Sequence, residues 1–217
     1  MKHFIITKVA VLSQPWYMDN RFLREKIFNE YCIPSIEVQT SKNFERLLLF
    51  DEALDPALYE KYIWIGTIIL TGKNTGREDI MDYIEQVSLW EDYVLTTRFD
   101  SDDILAPEFV EKTQQYYKDW GDKQLLAWIT GAEKDYHTGI DYLFEKEYSN
   151  PFITLKEFPG KIETVFCKPH WQMDKEFSTE YIKTKNPMRY RILHWVNRAR
   201  KEVIPTLKRE SNIIKPE

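Results

Sequence analysis

The sequence is poor in cysteine and glycine. Of its 217 residues, only Cys32 and Cys167 are cysteines, and seven are glycines. Two thiols so far apart make neither a disulfide framework nor a zinc site. The glycines are widely spaced and form no glycine-rich phosphate loop, and there is no Gly-x-Ser-x-Gly nucleophile elbow. These absences disfavour P-loop, dinucleotide-binding and α/β-hydrolase enzymes, so a nucleotide would have to be held by a metal ion and side chains.

Long hydrophobic runs are also absent. No segment is apolar enough over a sufficient length to cross a bilayer. The first residues lead directly into a strand-like run at 4–6, without the apolar stretch and cleavage site of a signal peptide. The net charge of −5 argues against a dedicated nucleic-acid binder. We therefore expect a protein of the reducing cytoplasmic compartment.

Positive charge is concentrated towards the C-terminus. Such a run is most often a solvated face, but it also suits contact with phosphates, with an anionic membrane surface or with a larger synthase. Peripheral membrane contact therefore stays open as an alternative. The cations concerned are Lys183, Lys185, Arg189, Arg191, Arg198, Arg200, Lys201, Lys208 and Arg209.

Strand-like and helix-like patterns alternate through the first half of the chain. Apolar runs at 4–12, 46–50, 62–70 and 94–97 predict strands, and residues 19–31, 77–90 and 107–119 predict amphipathic helices. This order predicts an α/β fold with a mostly parallel, Rossmann-like sheet flanked by helices. Shorter β patterns at 124–130, 140–148 and 161–166 predict a mixed or antiparallel C-terminal half. With no linker in between, we expect a single domain over 1–217, divided into halves at 1–105 and 106–217.

Three carboxylates follow the predicted strand at 94–97. Asp100, Asp102 and Asp103 stand within four positions and repel one another unless a positive group lies between them. At a strand end of an open α/β sheet, an Asp-x-Asp pair suits Mg²⁺ or Mn²⁺ and hence a diphosphate. The alternative is that these residues cap the helix predicted near Pro107. Arg98, directly before them, suits either a phosphate or a salt bridge to a neighbouring aspartate.

Several motifs, in one order along the chain, resemble the bacterial putative rhamnosyltransferase family of GT-A type nucleotide-sugar glycosyltransferases. An Asp-x-Asp pair alone is a weak signal. Tyr-Cys-x-Pro-Ser, Thr-Thr-Arg-x-Asp-x-Asp-Asp and a late His-x-x-Asn in one chain, in that order, are a considerably stronger one. The resemblance implies a GT-A fold, a nucleotide-sugar donor and a divalent metal. The matching residues are Phe4, Thr7-Lys8, Arg24, Phe28, Tyr31-Cys32-Ile33-Pro34-Ser35, Gln39, Phe44, Phe50-Asp51, Thr96 to Asp103, Asn150-Pro151-Phe152, Glu157, His194 and Asn197.

The resemblance also implies roles for individual residues. The aspartates Asp100 and Asp102 would bind the metal that bridges the donor phosphates, and His194 would be a further ligand, with His170 as the competing candidate. Asp103 would act at the sugar hydroxyls or cap the helix. His194 and Asn197 are spaced to share a helical face, with Arg191 one turn earlier.

Nucleotide binding is expected at the ends of the first strands. The resemblance places the base and diphosphate near Thr7 and Lys8. Asp51, which ends a later strand, is a candidate for hydrogen bonds to the base or ribose, the alternative being a loop-starting cap. Arg24 is a further binding candidate, although it also fits a solvated arginine on the polar face of its helix.

An inverting transferase needs a carboxylate base for the acceptor hydroxyl, whereas a retaining enzyme need not have one. Glu157 is the first candidate for that base, followed by Glu133 and Asp135. His3 and His137 carry no expected role.

The leading hypothesis is a metal-dependent glycosyltransferase that passes a sugar, rhamnose being one option, from a nucleotide diphosphate to a polysaccharide or lipid-linked glycan. Its cofactor would be Mn²⁺ or Mg²⁺, and nucleic acid is not among the expected partners. A nucleotidyltransferase also uses paired aspartates, but it usually brings a glycine-rich or basic triphosphate loop that this sequence lacks. A non-catalytic carbohydrate- or partner-binding module is the third hypothesis.

Overall fold

A computed structural model of the protein describes residues 1–10, 21–72, 77–119, 124–139, 141–145 and 152–193. The strands are β1 (Lys2–Ala10), β2 (Glu45–Asp51), β3 (Thr67–Thr71), β4 (Val94–Arg98), β5 (Asp103–Leu105), β6 (Leu125–Trp128), β7 (Thr130–Asp135), β8 (Asp141–Glu145), β9 (Ile153–Glu157), β10 (Thr179–Ile182) and β11 (Arg189–Leu193). The helices are α1 (Arg21–Ile27), α2 (Ile33–Glu37), α3 (Arg77–Ser88), α4 (Phe109–Asp119) and α5 (Met173–Glu176), and a π-helical turn (Phe28–Cys32) joins α1 to α2.

The strands form two sheets. The main sheet has seven strands in the order β10-β6-β9-β4-β1-β2-β3, and the second has four in the order β5-β11-β7-β8. In the main sheet β1 to β4 are parallel, and β9 runs antiparallel to both β4 and β6. The prediction of an α/β fold with a mostly parallel sheet and a mixed C-terminal half is therefore confirmed.

Apolar side chains cover both faces of the main sheet, which explains the nearly continuous apolar runs of its strands. Ile5, Leu48 and Leu95 face one core, where α4 contributes Phe109. The alternate residues of the same strands face the other core, against α3. That second core contains Phe4, Ile6, Leu47, Leu49, Ile80 and Ile84.

Some boundaries differ from the sequence prediction. The strand predicted at 62–70 begins only at Thr67, because Tyr62 lies in a 3₁₀ turn and packs against the rings of Phe28 and Phe50. The strand predicted at 161–166 is an irregular segment, in which Thr164 has a φ of 65°. The hairpin expected around Gly139 is present, with β7 and β8 antiparallel and Gly139 at a φ of 70°. None of the helices described is long and apolar enough to cross a membrane.

His3, for which the sequence suggested no role, lies inside the main sheet. It is buried, and its Nε2 lies 2.7 Å from Oγ1 of Thr97, which lies 2.6 Å from Oγ1 of Thr154. These contacts join β1, β4 and β9 on one face of the sheet. Burial lowers the pKa of His3 from 6.5 to about 3, because the charged imidazolium would lose its hydration there. The neutral ring is therefore part of the folded structure.

We expect His3 to make the fold acid-sensitive. Because its folded pKa lies below its unfolded pKa, its contribution is complete above pH 6.5 and is lost as the pH falls from 6.5 towards 3. Chemical unfolding of wild type and His3→Gln should show a stability difference that shrinks by roughly 2 kcal/mol between pH 7 and pH 5. His137→Gln, at an exposed histidine, is the control and should leave the pH dependence unchanged. Parallel profiles for wild type and His3→Gln would contradict this assignment.

Candidate functional site

The carboxyl ends of β1, β2 and β4 meet at one edge of the main sheet. Asp51 is the last residue of β2, and Arg98 is the last residue of β4. Lys8 lies where the register of β1 against β2 shifts between Lys8 and Ala10. Irregularities of this kind often re-aim side chains beside active sites. Thr7 was expected at the end of the first strand, but β1 continues to Ala10 and Thr7 is buried within it.

Two cations share one aromatic ring at this edge. The Nζ of Lys8 lies 4.4 Å from the centroid of the Phe166 ring, and the Cζ of Arg98 lies 5.5 Å from it. The pKa of Lys8 is lowered to about 8. Burial is the largest cause and the charge of Arg98 adds to it, while the charge of Asp100 acts in the opposite direction. Such a pair of cations is a strong attractor for an anion.

Asp100 is held by Arg98. The guanidinium donates from Nε to Oδ1 at 3.0 Å and from Nη2 to Oδ2 at 3.3 Å, so both carboxylate oxygens are engaged. The salt bridge that the sequence offered as the alternative role of Arg98 is therefore present. The two side chains remain 21% and 31% exposed, so ligands can still reach them.

A tight turn holds the next aspartates. The amide of Asp103 donates to the carbonyl oxygen of Asp100 at 3.2 Å, and the carbonyl oxygen of Asp102 accepts from Ile192 at 3.1 Å. Asp102 is half-buried, whereas Asp103 is 3% exposed. Asp103 starts β5, so the helix-cap alternative does not describe it. The helix α4 begins later, at Phe109.

Asp103 is the most strongly perturbed carboxyl group of the turn. Burial raises its pKa well above the usual range, and the charges of Asp102 and Asp100 raise it further, while Arg191 and Arg189 oppose the shift. Its Oδ1 is buried and has no hydrogen-bond partner. A buried acceptor of this kind is costly unless a ligand or a cation satisfies it.

A polar row crosses the second sheet from this turn. Asp103 pairs with Arg191 on β11, Arg191 with Glu133 on β7, and Glu133 with Tyr142 on β8. Nη1 of Arg191 lies 3.9 Å from Oε1 of Glu133, and the two side chains are 40% and 22% exposed. Arg191 was expected on a helix and lies on a strand instead. Glu133 thus presents a partly exposed carboxylate on the same sheet as Asp103.

The turn offers one or two carboxylates of the kind that a divalent cation takes together with substrate phosphates. Oxygen ligands are those that Mg²⁺ prefers, and it is commonly bound by one or two carboxylates together with substrate phosphates. Asp102 and Asp100 offer such oxygens, and Asp103 adds its unsatisfied buried oxygen. Over the described ranges, no group of three or more His, Cys, Asp or Glu side chains is arranged as a metal site.

Of the two histidines predicted as ligands, only His170 lies within the described residues. His194 and Asn197 lie outside the described residues. His170 is half-buried in the segment before α5, two residues beyond Lys168.

Arg24 lines a small cavity beside the site, and Asp51 ends the neighbouring strand β2. The cavity measures about 20 Å³, enough for roughly one water molecule, and Arg24, Phe28, Phe50 and Ser101 are among its lining residues. Arg24 donates from Nη2 to Oγ of Ser101 at 3.0 Å, so it ties α1 to the aspartate turn and is not merely a solvated arginine. Oδ1 of Asp51 accepts from the amide of Ala53 at 3.0 Å, which is the loop-cap alternative.

Glu157 does not lie at this site. It pairs with Val94 at the amino end of β4, about 20 Å along the strand from the aspartates. Its carboxylate accepts from the amides of Glu163 and Thr164 at 2.5 to 3.1 Å and from Thr96 at 3.2 Å. The pKa of Glu157 is raised to about 7, because the effect of burial outweighs the opposite effect of those hydrogen bonds. The expected catalytic base is therefore misplaced, because β9 runs antiparallel and ends at the opposite edge.

Asp135 is likewise committed to structure. It is buried, and its Oδ1 accepts from the amides of His137 and Thr138 at 2.9 and 3.1 Å, which fixes the β7–β8 turn. Of the three carboxylates proposed from the sequence as bases, Glu133 is the one that shares a row of the second sheet with Asp103, with Arg191 between them.

Two residues of the site were not found from the sequence. Phe166 was assigned to a strand without a role, and Arg189 was counted in a solvated basic face. Arg189 is 1% exposed and stacks between Phe152 and Phe144 at 4.2 and 5.1 Å. Gly131 leaves room for it, since a Cβ there would lie 3.1 Å from Nε of Arg189. The alternation of polar and apolar residues through 189–192 is a strand signal that the sequence analysis did not use.

The chain was compared with known proteins. A family model described as "Putative rhamnosyl transferase" matches residues 1–204. No curated protein matches the sequence.

Solved structures share the fold. Residues 1–349 of S. aureus TarS in complex with UDP align at 14% identity and a TM-score of 0.51, over 89% of this chain and 61% of that chain. The complex of the same TarS segment with UDP-GlcNAc aligns at 14% identity and a TM-score of 0.51, over 89% and 59%. A cytidylyltransferase from Leptospira borgpetersenii aligns at 10% identity and a TM-score of 0.50, over 85% and 76%. At these identities the likeness concerns the fold alone, and the chain spans less than two thirds of the TarS segment.

We expect Glu157 to make stability depend on pH in the opposite sense to His3. Because its folded pKa of about 7 lies above its usual 4.5, its contribution is complete below pH 4.5 and is lost as the pH rises to 7, by roughly 3 kcal/mol. The stability difference between wild type and Glu157→Gln should therefore fall over that range in chemical unfolding. Glu163→Gln, at an exposed carboxylate of the adjoining turn, should show no such trend. A pH-independent difference for Glu157→Gln would refute the buried-carboxyl role.

Proposed function

The chain belongs to the putative rhamnosyl transferase family, and from that premise we propose that it is a metal-dependent glycosyltransferase that uses a nucleoside diphosphate sugar. The observation that carries the proposal is the cation pair Lys8 and Arg98 on Phe166, beside the aspartate turn at the strand ends. Two cations and adjacent carboxylates suit a diphosphate together with a divalent metal. Following the family description, rhamnose is the proposed sugar.

In this proposal Lys8 and Arg98 bind the donor phosphates, and Asp100 and Asp102 hold Mn²⁺ or Mg²⁺. The bound metal supplies Lewis-acid stabilisation of the departing diphosphate. His194 is retained as a further proposed ligand. Arg24, which lines the aromatic cavity, and Asp51, at the end of β2, are proposed to bind the base and ribose of the donor. Asp103, whose buried oxygen lacks a partner, is proposed to accept a hydrogen bond from a donor sugar hydroxyl.

Glu133 is proposed as the base for the acceptor. The acceptor oxygen attacks the anomeric carbon, its proton passes to the Glu133 carboxylate, and the bond to the diphosphate breaks with its electron pair on the leaving group. Nη1 of Arg191, 3.9 Å from Oε1 of Glu133, orients the carboxylate in this proposal. A single displacement of this kind inverts the configuration at the anomeric carbon.

The acceptor is proposed to be a polysaccharide or a lipid-linked glycan. TarS was crystallised with UDP and with UDP-GlcNAc, which makes uridine nucleotides the first to test here. Association with a membrane surface or with a larger synthase is part of the same proposal, and a cytoplasmic location is expected.

A nucleotidyltransferase is the rival enzyme class, since a cytidylyltransferase shares the fold. The rival needs a site for a triphosphate, and the sequence has no glycine-rich loop to provide it. The two reactions differ in product, because sugar transfer releases a nucleoside diphosphate and nucleotidyl transfer releases pyrophosphate. A non-catalytic binding module would release neither.

We expect a metal-dependent thermal shift with one nucleoside diphosphate. A ligand at 100 times its Kd adds about 2.7 kcal/mol, which corresponds to about 5–10 °C for a chain of this size. Differential scanning fluorimetry with UDP, GDP, ADP, CDP and dTDP, with and without Mn²⁺, measures this shift. Asp102→Asn should abolish the Mn²⁺-dependent part, while Asp92→Asn, at an exposed aspartate, should keep it. Shifts that persist in Asp102→Asn would rule out the metal assignment.

We expect Glu133→Gln to bind the donor nucleotide normally and to lose turnover. Loss of a general base typically costs about 10²–10⁴-fold in rate. Release of nucleoside diphosphate from the matching sugar nucleotide measures turnover, and the thermal shift measures donor binding. Glu157→Gln is the matched control and should keep turnover within a few-fold of wild type. The assignment is wrong if Glu157→Gln, and not Glu133→Gln, loses activity.

A further inference from the structure

Arg98 occupies both oxygens of a proposed metal ligand. Its Nε and Nη2 lie 3.0 and 3.3 Å from Oδ1 and Oδ2 of Asp100, in the forked geometry in which arginine binds a carboxylate most strongly. A cation that chelates both oxygens of Asp100 must therefore displace a guanidinium that is already in place. The metal and Arg98 compete for one carboxylate.

Displacement would leave Arg98 poorly placed. Apart from Asp100, the contacts described for its guanidinium are with the face of Phe166, which it shares with Lys8. The charges of Lys8 and Arg98 repel each other across this ring, and the charge of Arg98 lowers the pKa of Lys8. The guanidinium is largely buried, so losing its carboxylate partner costs more than it would at the surface.

A diphosphate removes this difficulty. It carries negative charge to the space beside Lys8 and Arg98, and its oxygens match the guanidinium fork as well as a carboxylate does. Arg98 can then exchange Asp100 for a phosphate, and Asp100 becomes free to bind the metal. Each ligand thus prepares the site for the other.

We propose that Arg98 is exchanged between Asp100 and the donor diphosphate, and that this exchange makes metal and donor bind cooperatively. The inference rests on the proposed function, because it assumes a diphosphate and a divalent metal at this site. Coupling between two ligands is reciprocal, and coupling factors of about 5–150-fold are common. Metal without nucleotide should consequently bind weakly.

Isothermal titration with Mn²⁺ alone tests the exchange without any nucleotide. Arg98→Met removes the competitor, so the affinity for Mn²⁺ alone should rise about tenfold over wild type. Arg98→Lys, which keeps the charge but not the fork, should give a smaller rise. Circular dichroism and the melting temperature of each variant establish that it is folded.

Arg191→Met is the matched control. Arg191 is also a cation next to the turn, where it acts on the charge of Asp103, but it is not paired with Asp100. Its removal reports the general gain that any metal site makes when a nearby positive charge is lost. A tenfold rise in Arg98→Met with a clearly smaller rise in Arg191→Met supports the exchange. Equal rises in the two variants, or unchanged or weaker binding in Arg98→Met, overturn it.

A second titration with UDP present measures the coupling. In wild type UDP should raise the affinity for Mn²⁺, after correction for Mn²⁺ bound by free UDP, and in Arg98→Met this factor should approach one. An unchanged coupling factor in the variant contradicts the exchange while leaving the proposed function intact. By contrast, Mn²⁺ that binds neither wild type nor variant, with or without nucleotide, contradicts the metal-dependent function itself.

Discussion

The balance between three carboxylates and the guanidinium groups around them is the constraint on which the site depends. The aspartates of the turn lie within four consecutive positions, and the charges of Asp102 and Asp100 raise the pKa of Asp103. Arginines from separate elements offset this repulsion: Arg98 pairs with Asp100, and Arg189 and Arg191 on β11 act on Asp103. The site therefore depends on contacts from both β4 and β11, which makes it a product of tertiary structure and not of a local motif.

Much of the fold and the core of the site follow from local patterns. The alternation of strand and helix signals predicted the parallel part of the sheet, and the motif at 96–103 predicted where the carboxylates would lie. The family match confirms the resemblance inferred from that motif, and the TarS structures share the fold. These inferences succeeded because strand ends, turns and acidic clusters are encoded by neighbours in sequence.

Arg189 shows where local patterns fail. In sequence it belongs to a basic run, and only the register of β11 against β5 and β7 buries it between Phe144 and Phe152. The pairing of Phe166 with Lys8 likewise joins positions far apart in the chain. Such contacts depend on which strands become neighbours, and a single sequence without an alignment carries no direct record of that.

Strand direction decides between the two candidate bases. From the sequence, Glu157 was expected to be the catalytic base, and no strand was predicted directly before it. However, β9 is antiparallel to β4, and a residue at its carboxyl end necessarily lies at the amino end of the parallel strands. Glu133 lies in the same row of the second sheet as Asp103, two strands away, because Arg191 on β11 pairs with both residues. A carboxylate's position along a strand thus has functional meaning only once the direction of that strand within its sheet is known.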